Sequence, residues 1–311
     1  MKHTDLSTPD YFHKVVDCQF ACPAHTPVPQ YIRLIAEGRY AEAYMVNWEA
    51  NVFPGILGRT CDRPCEPACR RQRVESEPVA ICRLKRTAAD YKGDISAFLP
   101  KPAVLQNGKR IALVGGGPAS LTLARDLAPL GYRCVIIDED PNAGGMMRTR
   151  IPRFRVPEQV IDEETGYILN LGVEFCGGTR VDSLKALLAE GWDAIFIGAG
   201  APRGQDLPLP GRTEARANIF VGVEWLANIW FKHVDQIGKR VVVIGGGNTA
   251  IDCARSARRL GGKDVKVVAR SSLADMKATE WEKDDVLREG VAICTDLVPR
   301  EFELDNGRPL G

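Results

Sequence analysis

The feature that most restricts the fold of this chain is a pattern that occurs twice, 130 residues apart. In each copy a short apolar segment runs into three glycines and then into an amphipathic stretch. The first copy, RIALVGGGPAS, begins at Arg110, and the second, RVVVIGGGNTA, begins at Arg240. A further β-branched segment follows each copy, which completes the strand, glycine turn, helix and strand of a βαβ unit. Two such units predict two dinucleotide-binding domains with parallel sheets.

The first glycine turn has the residue types that a bound pyrophosphate needs. Gly115 permits the tight turn after the strand, and Gly117 lets the backbone approach the phosphates. The helix that opens with Pro118 and Ala119 supplies amide donors and the positive end of its dipole. Ser120 replaces the third glycine of the usual pattern, which weakens the match.

The segment after the next strand extends this prediction. Asp138 ends that strand, 23 residues after Gly115, where its carboxylate can accept a hydrogen bond from a ribose hydroxyl. In the stretch PNAGGMM, the pair Gly144 and Gly145, followed by Met146, would let the backbone run close to a flavin. A plain loop is the alternative for this stretch.

The second glycine turn meets the same conditions. Gly245 and Gly247 follow a strand, and Asn248 and Thr249 open a helix. Two nucleotide sites in one chain indicate that one holds a flavin and the other a nicotinamide. The sequence therefore points to an oxidoreductase.

Cysteines are concentrated in the N-terminal third, where six of the ten lie. Their spacing is Cys18-x3-Cys22-Pro, then Cys61-x3-Cys65-x3-Cys69, then Cys82. Thiolates this dense suit iron–sulfur clusters or zinc. The flavoprotein context favours an iron–sulfur cluster, because a flavin that receives two electrons as hydride needs one-electron carriers. Zinc and inert thiols remain the alternatives.

Net charge and hydropathy argue against a nucleic-acid-binding, membrane or secreted protein. The formal net charge of +1 offers no electrostatic case for nucleic acid binding or for an acidic membrane surface. No apolar run approaches the length of about 18 residues that a membrane helix needs. The N-terminus MKHTDLSTPDYFHKVVD lacks the apolar core of a secretory signal, so we expect a cytoplasmic protein.

As a set, the motifs resemble one family: the small (β) subunit of glutamate synthase and its relatives, including the N-terminal half of dihydropyrimidine dehydrogenase. The matching segments are GRTCDRPCEPACRR, PVAICRLKRTAADY, GGGPASLTLARDLAPLGY, AGGMMRTRIPRFRVPEQVIDEE, DAIFIGAGA and GGGNTAIDCARSARRLG. The resemblance implies an α/β fold with a helical N-terminal iron–sulfur domain followed by two Rossmann-type domains. The implied domains are a helical iron–sulfur domain at 1–105, the first part of an FAD-binding domain at 106–213 and an NAD(P)-binding domain at 214–311.

The resemblance also implies which residues hold each cofactor. The implied FAD residues are Gly115, Gly117 and Asp138, with Pro118 and Ala119 in the turn and Gly144, Gly145 and Met146 near the flavin. The implied residues for NADH or NADPH are Gly245, Gly247, Asn248, Thr249 and Arg270. The implied ligands of one [4Fe-4S] cluster are Cys22, Cys61, Cys65 and Cys82.

Two departures from the family pattern shape these expectations. A second cluster would use Cys18, Cys69 and two more cysteines upstream of Cys18, where the sequence has none, so we expect a single cluster. The chain also ends at NGRPLG, before the segment with which the family returns to its flavin domain. By this resemblance the sequence holds the first part of the FAD-binding domain, and either the chain is incomplete or its FAD site is completed otherwise.

The preference between the two nicotinamide cofactors is predicted from the segment VVARSSLADMKA. NADPH-using relatives carry two adjacent arginines there and another two residues on, which bind the 2′-phosphate. This chain keeps Arg270 but has Ser271 and Leu273 at the other positions, so we expect NADH to be favoured.

The predicted function is therefore an electron-transfer subunit that exchanges electrons with other subunits, catalytic or ferredoxin-like, of an oxidoreductase complex. One alternative is a thiol or disulfide flavoprotein reductase, which needs a Cys-x-x-Cys motif that the flavoprotein half lacks. The other alternative is a structural subunit.

Overall fold

The computed structural model describes residues 16–305 and 308–309. The chain divides into two compact units. The first unit runs up to Gly144 and includes Phe154–Gly198. The second comprises Gly145–Arg153 and the chain from Ala199 onward.

The helices and strands follow the predicted order, helical first and then alternating. The helices are α1 (Asp17–Ala21), α2 (Val28–Ala36), α3 (Tyr40–Asn51), α4 (Pro54–Thr60), α5 (Ile81–Tyr91), α6 (Pro118–Leu127), α7 (Met146–Thr149), α8 (Glu158–Leu169), α9 (Leu184–Leu188), α10 (Gly222–Trp230), α11 (Asn248–Arg259) and α12 (Glu280–Arg288). The strands are β1 (Arg110–Val114), β2 (Arg133–Ile137), β3 (Glu174–Cys176), β4 (Ala194–Ile197), β5 (Arg240–Ile244), β6 (Asp264–Val268), β7 (Ala292–Cys294), β8 (Leu304–Asp305) and β9 (Arg308–Pro309). Across the described ranges, no helix combines the length and the apolar character needed to cross a membrane.

The N-terminal helices α2 to α5 pack around a core of aromatic and small side chains. Tyr31 and Tyr44 are fully buried, and the Tyr31 hydroxyl donates to the carbonyl oxygen of Ile81 at 2.9 Å. Helices α4 and α5 approach closely at Gly58, where a Cβ atom would lie 2.8 Å from the Cα of Arg86. A side chain at position 58 would therefore push apart the two helices that carry the cysteines.

The remainder of the first unit is a four-stranded parallel sheet with the strand order β3-β2-β1-β4. The central strands are buried, as the β-branched and apolar composition of RIALV and RCVII predicts. Because β1 and β2 are neighbouring parallel strands joined through α6, their carboxyl ends meet at the same sheet edge. That edge carries the first glycine turn and Asp138, the arrangement that is predicted from the sequence.

The second unit repeats this architecture in shorter form. Strands β5, β6 and β7 form a parallel sheet in that order, and β8 pairs with β9 antiparallel. Helix α11 follows the second glycine turn and is buried along most of its length. The α/β fold class predicted from the sequence is thereby confirmed.

Candidate cofactor sites

The first glycine turn links the end of β1 to the start of α6. Gly115 has a φ of +99°, a backbone conformation that favours glycine, and its N–H donates to the carbonyl oxygen of Ile137 at 2.8 Å. Gly117 is the N-cap residue of α6, and Pro118 is the first residue of the helix. Pro118 and Ala119 are exposed, so the helix N-terminus is open to an incoming phosphate.

Asp138 lies directly against this turn and is 9% exposed. The N–H of Gly116 donates to its Oδ2, and the N–H of Asp140 donates to its Oδ1 at 2.8 Å. A carboxylate has about four acceptor positions, so each oxygen keeps the capacity to accept a ribose hydroxyl as well. The structure thus adds a second role to the predicted one: Asp138 holds the end of β2 against the glycine turn.

The loop after β2 returns to the same place. The N–H of Gly144 donates to the carbonyl oxygen of Gly116 at 2.8 Å, which puts Gly144 beside the first turn. Gly145 and Met146 belong to the second unit, where Gly145 is the N-cap residue of α7 and Met146 begins that helix. Met146 is 39% exposed.

Ser120, at the position of the usual third glycine, is fully buried. Its hydroxyl has no hydrogen-bond partner among the described residues, and a Cβ atom at Gly198 would lie 2.3 Å from it. The hydroxyl therefore packs on the backbone that follows β4. The first glycine turn fits the adenosine diphosphate part of FAD, because it combines an exposed helix N-terminus, the acceptor oxygens of Asp138 and a tight backbone turn.

The second glycine turn has the corresponding geometry between β5 and α11. Gly245 has a φ of +149°, and Gly247 is the N-cap residue of α11. A Cβ atom at Gly247 would meet nothing within 4 Å, so the space above this turn is open. The Oδ1 of Asn248 accepts the N–H of Thr279 at 3.1 Å, while Thr249 is exposed.

The chain after β6 contributes residues to this turn that the sequence motif does not reveal. The N–H of Ala278 donates to the carbonyl oxygen of Gly246 at 2.8 Å. A Cβ atom at Gly246 would lie 3.5 Å from Met276 and 3.6 Å from the hydroxyl of Ser271. Arg270 lies two residues after the end of β6, is exposed, and forms no hydrogen bond or ion pair with any residue in the described ranges. This turn and its exposed arginine fit a nicotinamide dinucleotide.

Two of the predicted cluster ligands lie on adjacent helices. Cys61 directly follows α4, and Cys82 is the second residue of α5 and is 1% exposed. The Sγ of Cys82 donates to the carbonyl oxygens of Leu57 and Gly58, each at 3.5 Å. Hydrogen bonding between the two thiols lowers the pKa of Cys61 to about 6 and raises the pKa of Cys82.

The other two predicted ligands lie close to this pair. Burial raises the pKa of Cys65 to about 12, with further increases from the charges of Cys61 and, less strongly, Cys22. The Sγ of Cys22 is 3.4 Å from the hydroxyl of Thr26. We refer to Cys22, Cys61, Cys65 and Cys82 as the four-thiol group.

The remaining two N-terminal cysteines interact with each other: burial is the main cause that raises the pKa of Cys18, and the charge of Cys69 adds to it.

The four-thiol group fits an iron–sulfur cluster by its donor chemistry. The backbone N–H of Arg63 donates to the Sγ of Cys61 at 3.3 Å, the kind of hydrogen bond to sulfur that tunes cluster potentials. Within the part of the chain that the structure describes, no three His, Cys, Asp or Glu side chains form a site for a single metal ion. A four-iron cluster takes one thiolate on each iron, so its ligands surround a volume rather than a point.

Glu164 connects this helical region to the flavin half of the first unit. It lies on α8, is 1% exposed, and accepts hydrogen bonds from the backbone N–H groups of Gly55 (2.7 Å) and Ile56 (3.0 Å) and from the hydroxyl of Tyr44 (2.9 Å). Burial raises the pKa of Glu164 to about 7. Glu164 therefore caps the N-terminus of α4, the helix that ends at Cys61. Sequence reasoning missed this residue, because nothing in VIDEETGY distinguishes it from its neighbours.

Two family models match different parts of the chain. Residues 13–96 match the family model of dihydropyrimidine dehydrogenase domain II, which carries a 4Fe-4S cluster. Residues 109–308 match the model of pyridine nucleotide-disulphide oxidoreductases, which is more than half of the chain. The chain belongs to the pyridine nucleotide-disulphide oxidoreductase family. Membership of this family confirms the predicted NAD(P)H-dependent flavin oxidoreductase.

Individual relatives of this oxidoreductase confirm the resemblance. It is 34% identical over 312 residues to the NADPH-Fe(3+) oxidoreductase subunit beta of Geobacter sulfurreducens, covering 97% of this chain and 46% of that protein. It is 32% identical to the glutamate synthase [NADPH] small chain of Escherichia coli, covering 94% of this chain and 65% of that one. It is also 32% identical to a homologue of the NAD-dependent dihydropyrimidine dehydrogenase subunit PreT of Salmonella typhi, covering 91% and 68%. The chain thus spans about half to two thirds of the length of these relatives.

Proposed function

We propose that this oxidoreductase passes electrons between a nicotinamide dinucleotide, FAD and one four-iron cluster, and exchanges them with a partner subunit. The observation that carries the proposal is that the four-thiol group and the first glycine turn lie in one compact unit, in which Glu164 of α8 holds the start of α4. When bound, FAD would exchange a hydride with the nicotinamide and the cluster would carry single electrons.

The residues of the chain supply binding and positioning for this chemistry. The first glycine turn and Asp138 would bind the pyrophosphate and ribose of FAD, and the turn at Gly245–Gly247 would bind those of the nicotinamide dinucleotide. The four-thiol group would bind the cluster, leaving Cys18 and Cys69 outside it. Tyr31, Cys65 and Cys82 are buried, so the helices limit access of water to the thiols.

NADH is the proposed preference over NADPH. Ser271 faces the second glycine turn where an arginine would contact a 2′-phosphate, and Arg270 alone remains for that contact. The names of the relatives support both cofactors, since the Geobacter and Escherichia proteins are named for NADPH and the Salmonella protein for NAD. The proposed preference for NADH therefore depends on the small number of arginines in the segment after β6.

A partner subunit is proposed because the relatives themselves are named as subunits or as a small chain. Catalytic and ferredoxin-like subunits are the proposed classes, and the compartment we propose is the cytoplasm. Purification from the native source under anaerobic conditions, with identification of the proteins that co-purify, would name the partner. Isolation of the chain alone at every salt concentration would contradict this part of the proposal.

The central test is anaerobic addition of NADH to the reconstituted protein. We expect the flavin absorbance to bleach and the cluster to be reduced, with about four irons and four sulfides per chain. A Cys65→Ser variant should lose the iron and keep FAD, whereas Cys176→Ser, which changes an exposed cysteine, should keep both. A flavin that does not bleach would favour the structural alternative. About eight irons, or stoichiometric zinc, would refute the single cluster.

A further inference from the structure

Lys85 is a buried lysine without a carboxylate partner. The residue is 7% exposed and forms no hydrogen bond or ion pair with any residue that the structure describes. A cation with little access to water is stabilised by a nearby opposite charge or by hydrogen-bond acceptors. No acidic side chain among the described residues forms an ion pair with Lys85, so its charge is available to another negative group nearby.

The position of Lys85 indicates what that group is. Lys85 lies three residues after Cys82 on α5, so the two side chains occupy the same face of the helix, one turn apart. This face packs on the end of α4, where the Sγ of Cys82 contacts the carbonyl oxygens of Leu57 and Gly58. Cys61 follows at the end of the same helix.

The electrostatic interactions agree with this placement. Thiol–thiol hydrogen bonding is the largest influence on the pKa of Cys61 and Cys82, and burial is the largest on that of Cys65. Lys85 acts on all three in the same direction and lowers each pKa. The charge of Lys85 thus acts on three members of the four-thiol group and favours their charged forms.

Of the acidic side chains near the four-thiol group, Glu66 is already engaged. An oxygen of Glu66 accepts the backbone N–H of Cys82 at 2.9 Å, and its other oxygen lies 3.8 Å from the guanidinium of Arg63. The charges around the four-thiol group therefore include the carboxylates of Asp62 and Glu66 and the cations of Arg63 and Lys85.

We propose that Lys85 is the counter-charge of the iron–sulfur centre held by the four-thiol group, and that its positive charge raises the reduction potential of that centre. The inference rests on the proposed function, because it requires the centre to be present. Reduction adds one electron and no bond changes, so the centre becomes more negative. A cation in a poorly solvated site stabilises the more negative state.

The test is a redox titration of the anaerobically reconstituted protein, followed by electron paramagnetic resonance. Lys85→Met removes the charge and keeps a similar side-chain length, and Lys85→Arg keeps the charge. Arg83→Met is the matched control, because Arg83 lies on the same helix but is exposed. We expect K85M to lower the equilibrium constant of one-electron reduction at least about tenfold, which is about 59 mV. K85R should stay close to the wild type because it keeps the charge. R83M should stay close to it because solvent and salt screen an exposed charge.

A wild-type potential in K85M, or an equal shift in R83M, would overturn the inference. If K85M does not retain iron, K85R decides the question. Iron in K85R but not in K85M supports the requirement for a charge, whereas loss of iron from both assigns Lys85 to packing and overturns it. Absence of iron and sulfide from the wild-type protein would refute the proposed function instead, so the two failures are distinguishable.

Discussion

At the scale of single residues, Asp138 determines how the first glycine turn is held and what it can bind. Asp138→Ala removes the acceptors of two backbone N–H groups as well as the proposed ribose contact. A hydrogen bond to a charged group contributes about 1.5–3 kcal/mol, so we expect FAD affinity to fall roughly ten- to hundredfold. Fluorescence titration of the FAD-free protein measures this change.

The control for this prediction is Glu139→Ala, which removes an adjacent exposed carboxylate that pairs with Arg180. FAD affinity should stay near the wild-type value in that variant. NADH affinity should be unaffected in both. Undiminished FAD affinity in Asp138→Ala would remove Asp138 from the FAD site.

Ser271 is the residue at which the nicotinamide preference can be tested. Ser271→Arg would restore a guanidinium beside Gly246, where it could bind the phosphate oxygens bidentately. We expect the ratio of kcat/KM for NADPH to that for NADH to increase by about tenfold or more, equivalent to about 1.4 kcal/mol. Ala274→Arg adds the same charge at an exposed position and is the control. An NADPH preference in the wild-type protein, or an unchanged ratio in Ser271→Arg, would argue against the proposal.

At the scale of helices, Glu164 makes the attachment of α4 to α8 depend on pH. The folded-state pKa of about 7 lies above the ordinary value of 4.5, so its contribution to stability is complete below pH 4.5 and is lost as the pH rises through 7. At about 1.36 kcal/mol per pKa unit, the total change is about 3 kcal/mol. Glu164 is 1% exposed, so solvent screens this effect little.

The measurement is urea unfolding of the wild type and Glu164→Gln at pH 5 and pH 8. The wild-type protein should lose more stability between these pH values than the variant, in which no proton is exchanged at position 164. Glu163→Gln is the control, because the side chain of Glu163 is 42% exposed and pairs with Lys92. Equal pH dependence in wild type and Glu164→Gln would contradict the prediction.

At the scale of the whole molecule, the two glycine turns lie in different compact units, so their ligands can be affected separately. Gly247→Ala places a methyl group where the structure has open space, at a φ of −104° that alanine adopts readily. We expect the melting temperature and FAD content to stay unchanged while the NADH dissociation constant increases by about tenfold, about 1.4 kcal/mol. Isothermal titration with NADH measures this change. Loss of FAD together with NADH affinity would contradict the assignment of the two turns.

The sequence alone was sufficient for the fold class and for the position of each glycine turn. Strand periodicity, glycine placement and helix starts are local properties, since hydrogen bonds and backbone conformation over a few residues decide them. The cysteine spacing likewise predicted a thiol-rich N-terminal region. The family assignment followed from the same motifs, and the matches to residues 13–96 and 109–308 confirm it.

Only the tertiary structure decided which residues of similar type have different roles. Glu163 and Glu164 are neighbours in the sequence, yet one is exposed and the other is buried against Gly55, which is 109 residues away. Lys85 is one of many cations in the sequence, and its burial beside the four-thiol group depends on the close packing of α4 on α5. Local patterns cannot reveal such contacts, because burial and the partner of a charge are set by segments that meet only when the chain folds.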